Sequence, residues 1–268
     1  MENILMTIID THVHVFPQKV AIRAADNIVD YYSLSRQGDG TVEGLLAGSS
    51  NHPEMKFVIS SATLNPAKPT VGDDYMLEVA ASNPARYIPL CSFHPAMGVE
   101  ASVAELERCF NLGAKGVKIH SDFQKFFVDD EIPMEVYRYV ASKGKPIIFH
   151  VGDPNTDFST PKRVRRILET IPDLTIIAAH MCGYHVWDQA KKYLIGTPVY
   201  TDTSEALLGM SPAELTELIR LHGVEKVMFG SDYPLWNPNF AFDQINALPL
   251  TDEEKEMIFH ITAEKVFA

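Results

Sequence analysis

The chain has 268 residues, 46% of them hydrophobic and 22% charged, with a formal net charge of −12. That is enough apolar material for a sizeable core, and the acidity excludes nonspecific attraction to nucleic acid or any other polyanion. Cys91, Cys109 and Cys182 are odd in number, widely spaced and without a CxxC pair, which excludes a disulfide framework and fits a reducing cytoplasm. No basic stretch followed by an apolar one opens the sequence, and no apolar run approaches the ~20 residues that span a bilayer, so neither a signal peptide nor a membrane anchor is expected.

The first predicted strand, TIIDTHVHVF (7–16), is a β-branched run in which His12 and His14, two apart, emerge on one face. Residues 17–55 are more than one helix needs, and extra helical structure with a loop around Gly38–Gly40 over the mouth is expected there. A strand KFVISSA (56–62) precedes a helix GDDYMLEVAASN (72–83), whose opening acids suit a helix N-terminus. RYIPLCSF (86–93) is followed by VEASVAELERCFNLG (99–113), with apolar positions at three- and four-residue steps and a glycine stop. AKGVKIH (114–120) and IPMEVYRYVASKG (132–144) form the next pair, then KPIIFHV (145–151) and TPKRVRRILETIP (160–172). LTIIAAH (174–180) leads to YHVWDQAKKYL (184–194), and TPVYTDT (197–203) to SPAELTELIRLHG (211–223). KVMFGSD (226–232) is the last strand and TDEEKEMIFHITAEKVF (251–267) the last helix. "SPAE" and "TDEE" each place an acid three residues after an N-cap.

Eight nearly continuous apolar strands alternating with helices indicate a parallel sheet covered by helices. The count fits a closed (β/α)8 TIM barrel better than an open doubly wound sheet. The expected organisation is one α/β domain over residues 1–268, with a helical and loop insertion at about 17–55.

In such a barrel, functional groups come from the C-terminal ends of the strands. His12 and His14 close strand 1, Lys118 and His120 strand 4, His150 strand 5, His180 strand 6 and Asp232 strand 8. Any one of them is most simply a hydrogen-bonded rim residue, and Asp232 in "GSDYP" a turn residue. Together they are several imidazoles and a carboxylate in apolar runs, costly to bury without a shared partner. A divalent cation satisfies them at once, and neutral imidazole with carboxylate suits zinc or a related transition metal. His52, His222 and His260 read as bystanders; His94, His185 and Trp236 could reach the pocket or simply pack.

The carriers "DTHVH" (10–14), "GVKIHSDFQKF" (116–126), "FHVGD" (149–153), "AHMCG" (179–183) and "FGSDYP" (229–234) run along essentially the whole chain. The sequence resembles the amidohydrolase superfamily, and more narrowly its amidohydrolase-2 branch, which includes aminocarboxymuconate-semialdehyde decarboxylase and related decarboxylases, hydrolases and lactonases. The resemblance implies one catalytic metal held by His12, His14, His150 and Asp232, with His180 orienting or deprotonating the metal-bound water. Some relatives carry a second metal bridged by a carboxylated strand-4 lysine; for Lys118 the simpler role is binding an anionic substrate, with His120 touching it too. Two departures stand out. The branch often shows two glycines after the strand-6 histidine where this chain has "HMCG", and an Asn where Thr262 stands in "HITAEKVF". Cys182 would then be a pocket wall.

Zinc is the preferred metal, with manganese or iron as alternatives. It would lower the pKa of its water to about 7 from about 16. The expected activity is hydrolysis of a small amide, ester or lactone, with Asp232 and His180 moving protons. The alternative is non-oxidative decarboxylation of an aromatic or muconate-type acid, for which Lys118, Arg23 or Arg36 could supply a cationic clamp. A non-catalytic metal-containing binding protein ranks below both, because His180 serves chemistry rather than coordination. The expected partner is a small, possibly anionic molecule, and relatives often form homodimers.

Overall fold

The computed structural model describes residues 7–268; residues 1–6 of the expected domain lie outside the described residues. All eight expected strands are present: β1 (Ile9–His14), β2 (Lys56–Ser60), β3 (Tyr87–Cys91), β4 (Gly116–Ile119), β5 (Ile147–Phe149), β6 (Ile176–Ala178), β7 (Thr201–Asp202) and β8 (Val227–Met228). β1 to β6 pair in sequence order and β7 pairs with β8, every pair parallel. Single bridges from Ile177 to Tyr200 and from Val13 to Tyr233 join the two sheets at both ends. Ala178 N donates to the Tyr200 carbonyl and Thr11 N to the Phe229 carbonyl, each at 2.8 Å, so the ring closes. This is the TIM barrel that the alternation predicts.

The pleat determines what the barrel interior holds at each level. Ile9, Val58, Leu90, Ile148, Ile177 and Met228 meet as one apolar cluster inside the ring. Two residues further along the same inward faces stand Ser60, Ser92, His150 and Gly230, so the interior changes from hydrocarbon to polar over one pleat. Two larger apolar clusters fill the layer between the sheet and the helices.

Those helices are α1 (Gln18–Tyr32), α2 (Val42–Gly48), α3 (Thr70–Ser82), α4 (Val99–Asn111), α5 (Ser121–Gln124), α6 (Glu131–Ser142), α7 (Pro161–Thr170), α8 (Trp187–Tyr193), α9 (Pro212–His222), α10 (Pro238–Asn246), α11 (Asp252–Glu256) and α12 (Thr262–Val266). α1 and α2 occupy the long segment after β1, and the loop between them is tied down across the mouth. Gln37 N and Gly38 N donate to the carbonyls of Leu235 and Pro234 at 2.9 and 3.0 Å. Gly38 is required there, because a Cβ would lie 2.2 Å from the Tyr233 ring. α10 is a helix the periodicity reading leaves as loop, although Asn237 caps it and Pro238 opens it. The last predicted helix is real but interrupted by a π turn over Met257–Ile261. Ile258 in that turn accepts Phe229 N at 2.8 Å, so the final helix grips the end of β8. Thr262, where relatives often have Asn, still donates its hydroxyl to the Glu225 carbonyl at 3.4 Å. Among the described residues no helix is long and apolar enough to cross a membrane.

His222 at the end of α9 is buried: its Nε2–H donates to the Val199 carbonyl at 2.9 Å, and its Nδ1 accepts Gly196 N at 3.3 Å. Burial lowers its pKa to about 4 from the usual 6.5. A base held below its unfolded pKa binds fewer protons when native, so stability is full above pH ~6.5 and falls as the pH drops toward ~4. In His222→Asn, chemical denaturation across pH 7 to 4 is expected to show a shallower loss than the wild type; parallel curves would mean that His222 does not drive the acid response.

Candidate metal centre

His12 and His14 leave β1 at the mouth, and each ring is fixed by a partner from a different strand. His12 Nδ1 donates to Asp202 at the end of β7 at 3.0 Å, and His14 Nδ1 to the Ser60 carbonyl at the end of β2 at 3.2 Å. With Nδ1 occupied, each ring presents the Nε2 lone pair to the cavity. Asp232, just past β8, sets Oδ1 3.5 Å from His12 Nε2 and 3.3 Å from His14 Nε2. One donor atom from each of the three residues falls within a single 4.8 Å cluster. Gly230 makes the approach feasible: a Cβ there would sit 2.9 Å from His12 Cβ and 3.3 Å from Asp202 Cβ.

The remaining expected residues form a hydrogen-bonded chain beside this triangle. Phe123 N donates to His120 Nδ1, which leaves His120 Nε2–H to donate to the Tyr32 hydroxyl at 3.3 Å. Tyr32 donates to His150 Nε2 at 3.2 Å, His150 Nδ1–H to His180 Nε2 at 3.0 Å, and His180 Nδ1–H to Ser204 Oγ at 2.8 Å. Ser204 donates to Asp202, where the chain ends. Each group has the right complement of one donor and one acceptor for this single direction. His150 therefore reaches the centre through His180 rather than standing in the His12–His14–Asp232 triangle. Lys118 is buried and donates Nζ to His12 Nε2 at 2.7 Å, occupying the lone pair that a cation would use.

Burial drives the proton affinities here. It lowers His14 below its ordinary value, pushes His120 and His150 well below, and brings His180 to about 4, helped by neighbouring cationic groups. Neutral imidazoles are the form that coordinates metals. Burial opposes the charge of Asp202 and Asp232, but His12 overcomes it, aided by His180 for both and by His14 for Asp232, and holds both carboxyls well below the usual range. Lys118 comes down to about 8 through burial, against the pull of Asp232 and Asp202. The Tyr32 hydroxyl is pushed well above 10 by burial and stays a phenol. Asp10, which accepts Ser231 N and His12 N one level below, is raised by burial to about 7.

A cavity of about 380 Å³ opens onto His14, Lys118 and His120, with Phe16, Ile28, Tyr31, Leu64 and Phe123 among its walls. The His120 ring stacks on Phe123 at 3.8 Å and on His150 at 4.0 Å. Arg23 and Arg36 do not line it; Arg36 instead ties the loop after α1 to Asp26 at 2.8 Å and to the Gly38 carbonyl at 2.7 Å. His94 is engaged with Gln124 and Ala96, His185 is exposed, His52 packs on Phe242 and Trp236 on Phe240. Cys182 lies in the outer apolar layer with Ala190 and Leu194, not in the pocket wall, and burial pushes its thiol up to about 12.

The amidohydrolase family matches residues 9–268 of the sequence. The chain belongs to that family. No curated protein sequence matches it significantly, whereas solved structures do. An uncharacterised TIM-barrel protein from Bordetella bronchiseptica is 18% identical, with 97% of this chain and 98% of that one covered at a TM-score of 0.78. 5-Carboxyvanillate decarboxylase from Sphingomonas paucimobilis is 18% identical over 98% and 99% of the two chains, at 0.75. A dihydroxybenzoic acid decarboxylase from Polaromonas sp. JS666, with bound manganese and the inhibitor 2-nitroresorcinol, is 17% identical over 97% and 96%, at 0.74. At these identities the likeness establishes a shared barrel.

In this amidohydrolase, Cys182 stands where the branch often has a glycine, and it adopts a positive φ of 65°, as does Met181 before it at 50°. Glycine would take that conformation without strain. The residues that sequence reasoning passes over are Tyr32, Ser60, Asp202, Ser204 and Glu205. "TDTSE" carries a signal, since Asp202 ends strand 7 as the expected residues end theirs. Tyr32 carries none, because it arrives from the end of α1.

Gly230→Ala tests the close packing under His12. It is expected to cost about 1–3 kcal/mol by overpacking, read as a lower denaturation midpoint, and to shift the His12 imidazole resonances. Unchanged values would show that the barrel absorbs a methyl there.

Proposed function

We propose that this amidohydrolase is a metal-dependent, non-oxidative decarboxylase of a small aromatic carboxylic acid. The observation that carries the reading is the cavity: aromatic and aliphatic walls that suit a flat ring, opening on Lys118, which suits the substrate's anionic group. The two decarboxylases described above support it, and the manganese in one of them puts manganese beside zinc as the metal to test. Hydrolysis, preferred on sequence grounds alone, becomes the second reading.

Neutral imidazoles with an ionised carboxylate fit a divalent transition metal. His12, His14 and Asp232 would hold it, with His150, the fourth member of the expected set, one hydrogen bond away through His180. When bound, such an ion supplies a Lewis acid that polarises a substrate oxygen. Asp202 and Ser60 keep the two β1 imidazoles in the tautomer that coordinates. Lys118, freed from His12, pairs with the substrate anion, while Phe123 and the His120 ring cover the aromatic face and exclude water. As the C–C bond to the carboxyl breaks and carbon dioxide leaves, the electron pair on the ring carbon takes a proton; His180 delivers it from Nε2, where it receives one from His150 Nδ1, and His150 is resupplied from solvent along the donor direction of the His120 and Tyr32 bonds. Three buried free thiols suit a reducing cytoplasm, where we place the protein.

Carbon dioxide release from a panel of hydroxybenzoates, set against hydrolysis of lactones and amides by the manganese- and zinc-loaded protein, decides between the readings. Release from at least one hydroxybenzoate is the expected result, and hydrolysis alone would reject decarboxylation. His12→Ala with His14→Ala is expected to abolish metal retention and turnover, and full occupancy in the double variant would end the ligand assignment. His180→Asn is expected to keep the metal and lose roughly 10²- to 10⁴-fold in kcat; an unchanged rate would remove it from proton transfer.

A further inference from the structure

Glu205 follows the β7 end in "DTSE", is only 3% exposed, and has one carboxylate oxygen, Oε1, without a hydrogen-bond partner. Its backbone takes φ 56°, a left-handed conformation that strains a non-glycine residue. The side chain nevertheless points to the centre: donor atoms of His180, Glu205 and Asp232 cluster within 4.8 Å of one another. Two buried carboxylates facing each other, one with a free oxygen, can both stay ionised only if a cation lies between them.

We propose that Glu205, which follows β7, is a further ligand of the divalent ion. The assignment rests on the metal-dependent reading above and extends it, since the expected ligand set contains no residue from β7. Charge supports it. Asp202, Glu205 and Asp232 are three carboxylates buried around the mouth, and Lys118 with one divalent ion neutralises them completely. A second ion would leave the buried site with two excess positive charges, so a single shared ion is expected. Asp232 belongs to both donor clusters, the one with His12 and His14 and the one with His180 and Glu205, so it links Glu205 to the residues that would hold the ion.

Glu205→Gln removes the charge and keeps the shape. Metal-stripped wild type and variant are compared by calorimetric titration with Mn2+ and by melting temperature without metal. The wild type is expected to bind one ion per chain, and the variant to bind it at least 10-fold more weakly while melting, without metal, no lower than the wild type. Glutamate-labelled wild type gives a readout independent of the variant's folding: on adding Zn2+, the isotope-edited infrared difference spectrum is expected to show a shifted glutamate carboxylate band. Affinity within twofold of wild type, an unshifted glutamate band, or two ions per chain with neither weakened in the variant would each overturn the assignment. Neither readout uses turnover, so Glu205 can fail as a ligand while decarboxylation stands; a wild type that binds no divalent ion overturns both.

Discussion

The return of β8 to β1 is the constraint on which the mouth of this barrel depends. Asp232 N donates to the His12 carbonyl and His14 N to the Tyr233 carbonyl, both at 2.8 Å, beyond the last paired residues of β8. Those two bonds hold a carboxylate against two imidazoles from the opposite end of the chain. Each is worth only about 1 kcal/mol net, so the apolar clusters beneath and around the sheet must carry the closure. The π turn of the final helix contributes directly, because its Ile258 carbonyl receives the β8 backbone at Phe229.

On that scaffold the protein concentrates features that oppose folding. His180, Glu205 and Asp232 all have positive φ, at 60°, 56° and 57°. Residues in such regions persist only where their surroundings over-determine them. Here the Trp187 indole donates to the His180 carbonyl at 3.0 Å, and Met181 N bonds the Asp202 carbonyl at 2.9 Å. The electrostatics follow the same pattern, with the carboxylates of Asp202, Glu205 and Asp232 and the ammonium of Lys118 all buried at the mouth. An arrangement strained in both backbone and charge is suited to receiving a cation, not to being stable by itself.

The segment after β1 makes this rim a pocket. α1 carries Ile28 and Tyr31 into the cavity wall and Tyr32 between His120 and His150. The loop that follows is pinned to residues 233–235 on the other side of the mouth. The same insertion thus shapes the space for a ligand and, through Tyr32, joins the His120 and His150 rings.

The strand ends were legible because a strand's pleat has a period of two and a barrel presents one end of every strand to the same opening. His12, His14, Lys118, His120, His150, His180 and Asp232 follow from that rule with no knowledge of distances, as does the barrel itself from eight alternations. The rule does not say which of them touch. That His150 bonds His180, that Lys118 covers His12 Nε2, and that Cys182 faces the outer layer depend on ring closure and on left-handed turns that reorient side chains after the strand ends. Tyr32 ends α1 and Glu205 follows β7, so neither lies in a strand whose pleat would aim it into the barrel. Local sequence therefore determined the inward faces and the order of the strands; contacts between residues remote along the chain decided which lone pairs meet, because those contacts exist only once the ring has closed.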